Sequence, residues 1–163
     1  MRHIIELYKS SFGGLSRNVW LLSVVMLINR SGAMVIPFLG VFLTQQEGFS
    51  IVQTGYIMSF IGLGSVLGTY IGGRTTDAVG YYGVQFWSLL LSGIGFLFMP
   101  FINGFWAWCA VIFVVIAISD AFRPANQAAI GFYSKEENRT RSMSLVRLAI
   151  NLGFSAGPAV GGI

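Results

Sequence analysis

Long uninterrupted apolar runs constrain this chain more than any other feature of its sequence. Several of them reach the roughly 20 residues that an α-helix needs to cross the hydrocarbon core of a bilayer. The runs are continuously apolar rather than alternating, which argues against a transmembrane β-barrel. Hydrophobic residues make up 55% of the 163 residues and charged residues only 10%. The sequence therefore predicts an all-α integral membrane protein.

Polar breaks divide the chain into a short leading segment and a bundle of five predicted transmembrane helices. Residues 1–17 mix basic and apolar side chains, which suits an interfacial segment on an anionic leaflet. Pro37 is a candidate bend in the first helix, and Ser50 a candidate N-cap of the second. A glycine-punctuated turn is predicted from Gly73 to Gly83. Within the bundle, residues 18–163, the helices are predicted at about 19–43, 51–72, 84–101, 105–133 and 143–163.

Basic residues are distributed unequally between the two sides of the predicted bundle. The opposite loops, residues 45–50 and the turn around Gly104, carry none. By the positive-inside rule the asymmetry predicts a multi-pass protein of the plasma (inner) membrane with a cytoplasmic N-terminus. The net charge of +4 is then explained by topology rather than by nucleic-acid binding. The basic residues on the cytoplasmic side are Arg2, Lys9, Arg17, Arg74, Lys135, Arg139 and Arg141.

Two sets of glycines recur every four residues and so form bare ridges on single helix faces. Such ridges let helices pack closely in lipid, where association depends on tight contact rather than on water exclusion. One ridge lies in the second predicted helix, at Gly64, Gly68 and Gly72. The other lies in the fifth, at Gly153, Gly157 and Gly161, with Pro158 beside it as a point of local bending.

Arg30 is predicted to lie near the middle of the first span, beside Asn29. An arginine there is roughly 18 Å from the helix start, too deep to reach the interface easily. Charges inside membrane helices cost several kcal/mol on insertion scales and are usually functional. The sequence thus predicts that Arg30 faces a protein interior or an aqueous pathway for substrate or ions; a structural ion pair is the alternative.

A second polar group is predicted in the cytoplasmic halves of the fourth and fifth spans. Asp120 and Arg123 are three residues apart and share a helix face, while Arg147 enters the fifth span at a similar depth. Asn151, four residues after Arg147, points the same way. Structural bracing by an Asp120–Arg123–Arg147 cluster is the favoured interpretation. A proton-carrying Asp120 is the alternative, disfavoured because neighbouring arginines stabilise the carboxylate.

Two motifs in these positions resemble those of the major facilitator superfamily. The string from Gly153 to Gly162, with Gly157, Pro158 and Gly161, resembles the fifth-helix antiporter motif G-x-x-x-G-P-x-x-G-G at every specified position. The turn after the second helix resembles the loop motif G-x-L-a-D-r-x-G-r-k. There Gly73, Asp77 and Gly80 match, whereas Thr75, Ala78, Tyr81 and Tyr82 replace the leucine and the basic residues.

The resemblance implies the first five helices of a twelve-helix fold that works by alternating access between two halves. It implies that Asp77 caps a helix of the opposite half, and that the fifth-helix glycines pack against that half. It also implies a small-molecule substrate and protons as the coupling ion, hence proton-coupled efflux. The chain is accordingly expected to be the N-terminal fragment of a transporter that lacks its C-terminal half.

Two other classes of protein remain as alternatives. A small membrane scaffold or assembly protein could oligomerise through the glycine ridges. A membrane-embedded enzyme is disfavoured, because the single histidine, His3, lies outside the spans and no paired acids or metal-ligand spacing occurs within them. No cofactor or metal is expected.

Overall fold

The computed structural model describes residues 12–32 and 35–161, with side chains up to residue 156. Across these ranges the chain is helical and contains no strand. Two short 3₁₀ turns lie at Met99–Phe101 and Glu136–Asn138. The helices are α1 (Arg17–Gly32), α2 (Val35–Gln45), α3 (Ile51–Val79), α4 (Tyr81–Phe98), α5 (Phe105–Asp120), α6 (Phe122–Tyr133) and α7 (Arg139–Gly161).

Four segments of the described chain are long and apolar enough to cross a membrane. They are Arg17–Gln45, Ile51–Val79, Tyr81–Phe101 and Phe105–Tyr133, which correspond to the first four predicted spans. The prediction of a helical multi-pass membrane protein is therefore confirmed. The fifth predicted span, about 143–163, begins in α7 and extends past the residues described with side chains, and it is not among the four. Its membrane crossing stays a prediction.

The chain divides into two compact units. One is formed by the two ends of the sequence, Met1–Val35 and Ala129–Ile163, and the other by its middle, Ile36–Ala128. In the first unit α1 packs along α7. In the second, α3 packs along α5, and α4 packs against both of these helices. The core of the second unit contains Ile57, Trp108 and Ile112, each at most 1% exposed.

The start of α3 has the cap that its sequence predicts. The Ser50 hydroxyl accepts a hydrogen bond from the Gln53 backbone N–H at 3.2 Å, and the Gln53 side chain accepts one from the Ser50 N–H at 3.0 Å. This reciprocal capping box satisfies two donors that a helix start leaves open. The prediction of Ser50 as an N-cap is confirmed.

The end of α3 differs from the prediction. The helix continues to Val79 and includes Gly73, so the expected turn from Gly73 to Gly83 is wrong. A single residue, Gly80, separates α3 from α4, and its φ of 86° and ψ of 160° lie in a region that side chains exclude. A glycine within a helix costs only about 1 kcal/mol relative to alanine, which a long apolar helix tolerates, and this is why the signal at Gly73 misled.

The predicted fourth span is built from two helices, α5 and α6, that meet at Ala121. Pro124 has no backbone N–H and therefore cannot bond the carbonyl of Asp120, four residues earlier. Its ring also crowds that carbonyl. The break in the helix is therefore encoded locally, and it falls directly beside the charged residues of this span.

Candidate functional site

The charged residues at the α5–α6 junction form a compact polar cluster in the second unit. Arg123 Nε lies 3.1 Å from Asp120 Oδ1, so the ion pair predicted from their spacing is present. The Ser65 hydroxyl of α3 donates a further short hydrogen bond to Asp120 Oδ2. The Asp120 side chain is 13% exposed and that of Arg123 46%. The carboxylate thus links α3 to α5 while Arg123 remains accessible.

The glycine ridge of α3 lies beside this cluster and is filled by α5. A Cβ atom built on Gly64 would lie 2.6 Å from the Phe113 carbonyl oxygen, and one on Gly72 would lie 2.5 Å from Ala121 Cα. Gly68 meets the backbone of Ala117 more closely still. Both helices advance in the same direction along these contacts, so α3 and α5 run parallel. The ridge brings Ser65 within reach of Asp120.

A second polar contact joins α4 and α6 within the same unit. The Gln85 amide donates to Asn126 Oδ1 at 3.2 Å, and Asn126 is fully buried. A hydrogen bond inside a membrane helix bundle holds two helices in one register. Sequence reasoning did not select either residue, because an isolated amide in an apolar run has no spacing signal.

Arg30 is buried at the contact between α1 and α7 in the first unit. It lies near the middle of the segment Arg17–Gln45 and is only 8% exposed. Its guanidinium carbon is 5.8 Å from the centre of the Phe154 ring, a cation–π distance. Asn29, beside it in sequence, is half-buried. The predicted interior position of Arg30 is thus observed in the structure.

Phe154 belongs to a polar face of α7 that also carries Arg147 and Asn151. These residues are spaced by four and by three, so they lie above one another on the helix, and all three are exposed. The predicted common direction of Arg147 and Asn151 agrees with this. Arg147 lies in the first unit and Asp120 in the second, so the third member of the predicted bracing cluster stays a prediction.

The first glycine of the α7 motif is occupied by α1. A Cβ atom on Gly153 would lie 2.7 Å from the Leu27 carbonyl oxygen and 2.8 Å from Arg30 Cβ. At this position the ridge therefore packs within the chain, against α1. The contacts of Gly157, Pro158 and Gly161 lie beyond the part of α7 whose side chains the structure describes, and Gly162 lies outside the described residues.

The residues of the loop motif lie at the C-terminal end of α3. Gly73 is half-buried with open space around its Cα, Asp77 is exposed in the last turn, and Gly80 forms the turn itself. A carboxylate in the last turn is opposed by the helix dipole, which favours cations there. Asp77 therefore contributes little to α3 itself.

Besides Gln85 and Asn126, sequence reasoning missed Ser65 and Phe154. Ser65 follows Gly64 directly and precedes Gly68 by three residues, so the ridge could have indicated it as the nearest polar group. Phe154 follows Arg147 by seven residues, two helix turns, and this spacing was a usable signal. Within the described ranges, no group of three or more His, Cys, Asp or Glu side chains could hold a metal ion.

Comparison with known proteins identifies the family. The family model of the Major Facilitator Superfamily matches residues 19–163. Two similar proteins are the uncharacterized MFS-type transporters YqjV and YhjO of Bacillus subtilis (strain 168). The chain is 29% identical to YqjV over 133 residues, 79% of this chain and 32% of YqjV. It is 29% identical to YhjO over 140 residues, 83% of this chain and 34% of YhjO.

The chain spans about a third of the length of these relatives. No solved structure matches it significantly. The family model covers nearly the whole sequence, including the fifth-helix and loop motifs. The chain therefore belongs to the Major Facilitator Superfamily.

Proposed function

We propose that the protein to which this chain belongs carries a small organic solute across the plasma membrane by alternating access, as a proton-coupled antiporter that exports its substrate. Family membership supports transport as the general activity, and the curated relatives carry the description of MFS-type transporter. The match of the fifth-helix string to the antiporter motif supports the choice of antiport and efflux. The N-terminus is cytoplasmic, as the basic residues of the loops favour.

The observation that carries this proposal is the buried Arg30 near the middle of the segment Arg17–Gln45, which is long enough to span the membrane. A charge at that depth costs several kcal/mol when it does nothing but pack, with wide disagreement between scales. Intramembrane cations usually mark the path of a substrate or ion. Arg30, Asn29 and the α7 face with Arg147 and Asn151 are the proposed substrate-contacting residues.

Asp120 is proposed to brace the second unit and not to carry the coupling proton. Its two oxygens are engaged by Ser65 of α3 and by Arg123 of α6, so the carboxylate holds neighbouring elements together. A carboxylate that must take up and release a proton in each transport cycle usually has fewer hydrogen-bond and ion-pair partners. The coupling proton is then carried by a residue other than Asp120.

Asp77 and its neighbours Gly73 and Gly80 are proposed to form a gate with the other half of the transporter. Asp77 is exposed at the end of α3, where it is available to another helix. Its carboxylate would be stabilised at the N-terminus of a partner helix, where the dipole is positive. This accounts for an acidic residue at a place that its own helix disfavours.

The transport proposal is tested with the product of the complete open reading frame in proteoliposomes that hold an imposed pH gradient. Addition of a transported solute should collapse the gradient faster than in empty liposomes, and an uncoupler should abolish the difference. A protein that moves solutes but never dissipates the pH gradient would exclude proton coupling. No movement of any solute would contradict the proposal itself.

The role of Asp120 is tested in the same assay with Asp120→Asn. The amide keeps an oxygen that can accept from Ser65 and loses only the charge. We expect slower transport that still responds to the pH gradient. Transport that continues without dissipating the gradient would instead make Asp120 the proton carrier.

The alternative of a self-associating scaffold loses its main support. It relied on exposed glycine ridges, and the ridge of α3 is filled by α5 of the same chain. Gly153 likewise packs on α1. The described part of both ridges is therefore used inside the protein.

A further inference from the structure

Helices α1 and α7 together carry a concentrated positive charge. The spans predicted from the sequence for these helices, residues 19–43 and 143–163, contain two arginines, Arg30 and Arg147, and no aspartate or glutamate. The two helices pack directly on one another. In the second unit, the Asp120 carboxylate is engaged by Arg123. An organic cation that approached these two helices would be repelled, and an anion attracted.

The geometry of this region adds an apolar surface to the charge. Arg30 is more than nine-tenths buried, and its guanidinium lies over the Phe154 ring at 5.8 Å. Phe154, Asn151 and Arg147 occupy one face of α7 and extend over seven residues, about 10 Å along the helix. The Arg30 guanidinium, the Phe154 ring, the Asn151 amide and the Arg147 guanidinium thus follow one another. Together they extend over a distance comparable to the length of a small organic molecule.

A guanidinium that is held in place suits carboxylates particularly well. Its planar fork donates two parallel hydrogen bonds to a carboxylate and is less strongly hydrated than an ammonium group. A neighbouring ring restricts the orientation of the fork and offers a stacking surface to an aromatic or apolar substituent. The Asn151 amide can donate to or accept from a further polar group.

We propose that the Arg30–Phe154–Asn151–Arg147 face binds the substrate of the transporter, and that this substrate is an organic anion with an aromatic or apolar body. Arg30 pairs with the anionic group, Phe154 packs against the body, and Arg147 provides the attraction that brings the anion to the site. The inference rests on the transport function proposed above and adds the charge class of the substrate.

The test compares solutes that are matched in shape and differ in charge. The product of the complete open reading frame is reconstituted in proteoliposomes, and counterflow is measured with sets such as benzoate, benzamide and benzamidinium. The panel repeats this triple on larger ring systems. We expect counterflow of anionic members and none of their cationic counterparts. Transport confined to cations or neutral compounds would overturn the anion proposal while leaving transport intact, and transport of no panel member would count against both.

Variants then assign the effect to the face. Arg30→Gln should weaken the apparent affinity for the transported anion roughly tenfold to a hundredfold, as expected for loss of a hydrogen bond to a charged group. Arg30→Lys keeps the charge but not the fork and should fall between Arg30→Gln and the unchanged protein. Arg141→Gln removes an exposed arginine from the first turn of the same helix and should leave the affinity unchanged.

Arg30 is buried, so a loss of affinity on its substitution has to be separated from a loss of folding. Arg147→Gln and Phe154→Leu, at exposed positions, serve as independent variants. Each should raise the half-saturating anion concentration without changing the amount of protein in the membrane. Full anion affinity in Arg30→Lys, Arg147→Gln and Phe154→Leu together would show that the anion binds elsewhere.

Discussion

At the scale of single residues, the clearest feature is the hydrogen bond that connects Ser65 to Asp120. It joins two helices at the point where Pro124 interrupts the second of them, and where the Asp120 carbonyl loses its usual backbone partner. The carboxylate is 13% exposed, so a polar partner from α3 matters more there than it would in water. The exposed Arg123 contributes less, because its charge is largely screened.

Replacement of Ser65 by alanine should therefore destabilise the protein measurably. We expect a loss of about 1–3 kcal/mol, the range for leaving a buried acceptor short of one partner. Ser59→Ala is the matched control, since Ser59 lies on the same helix, is exposed and bonds only to the Gly55 carbonyl of its own turn. Thermal unfolding in detergent would measure both, and equal midpoints for the two variants would refute a structural role for the Ser65–Asp120 bond.

The conformation of Gly80 leads to a second prediction at this scale. Its positive φ, at 86°, is combined with an extended ψ, and a side chain there costs roughly 1–3 kcal/mol. Gly80→Ala should lower the unfolding temperature or distort the turn between α3 and α4. Gly83→Ala, three residues later in α4 with open space around it, should be neutral or slightly stabilising because alanine favours helices. Equal stability of the two variants would contradict the conformation assigned to Gly80.

At the scale of helices, glycines determine which helices pack closely against one another. The ridge of α3 accepts the backbone of α5, Gly95 of α4 lies against Val115 of α5, and Gly153 of α7 lies against α1. Close approach of backbones compensates for the weak hydrophobic attraction between helices in lipid. In water, burial of large apolar side chains drives helix packing. The same glycine ridges would then have less influence on which helices pack together.

Gly68 gives the sharpest test of this packing. A methyl group at Gly68 would collide with the backbone of Ala117, which cannot yield without moving α5. Gly68→Ala should cost about 1–3 kcal/mol, as overpacking does elsewhere. Gly62→Ala in the same helix meets nothing within 4 Å and should be tolerated. Unfolding in detergent separates the two, and tolerance of Gly68→Ala would mean that α3 and α5 are farther apart than described.

At the scale of the whole molecule, the arrangement of charged and aromatic residues favours one direction in the membrane. The turn between α4 and α5 is free of charge and carries exposed Phe101, and exposed Trp106 lies in the first turn of α5. Tryptophan is typical of a membrane interface. The segment between α6 and α7 carries Lys135, Glu136 and Glu137 and is exposed. These two connections belong on opposite sides if Phe105–Tyr133 crosses the bilayer.

Labelling of single cysteines should reveal this direction. In a Cys109→Ala background, which removes the one native and buried cysteine, Asn103→Cys should react with an impermeant maleimide in intact cells. Lys135→Cys should react only in inverted vesicles or permeabilised cells. Both positions are exposed in the structure, so poor access does not explain a negative result. Reaction of both from one side would refute a membrane crossing by α5 and α6.

The sequence by itself determined the class of the protein and the places of its apolar helices, because each span must satisfy the bilayer locally. It also determined the Ser50 cap, the Asp120–Arg123 pair and the interior position of Arg30, which depend on spacing along one helix. Only the tertiary structure showed that α3 continues through Gly73. It alone also showed three contacts: the glycine ridge of α3 packs against α5, Ser65 donates to Asp120, and Arg30 lies over Phe154. These three contacts join residues far apart in the chain. They depend on which helix faces are brought together, and periodicity within one helix carries no information about its partner.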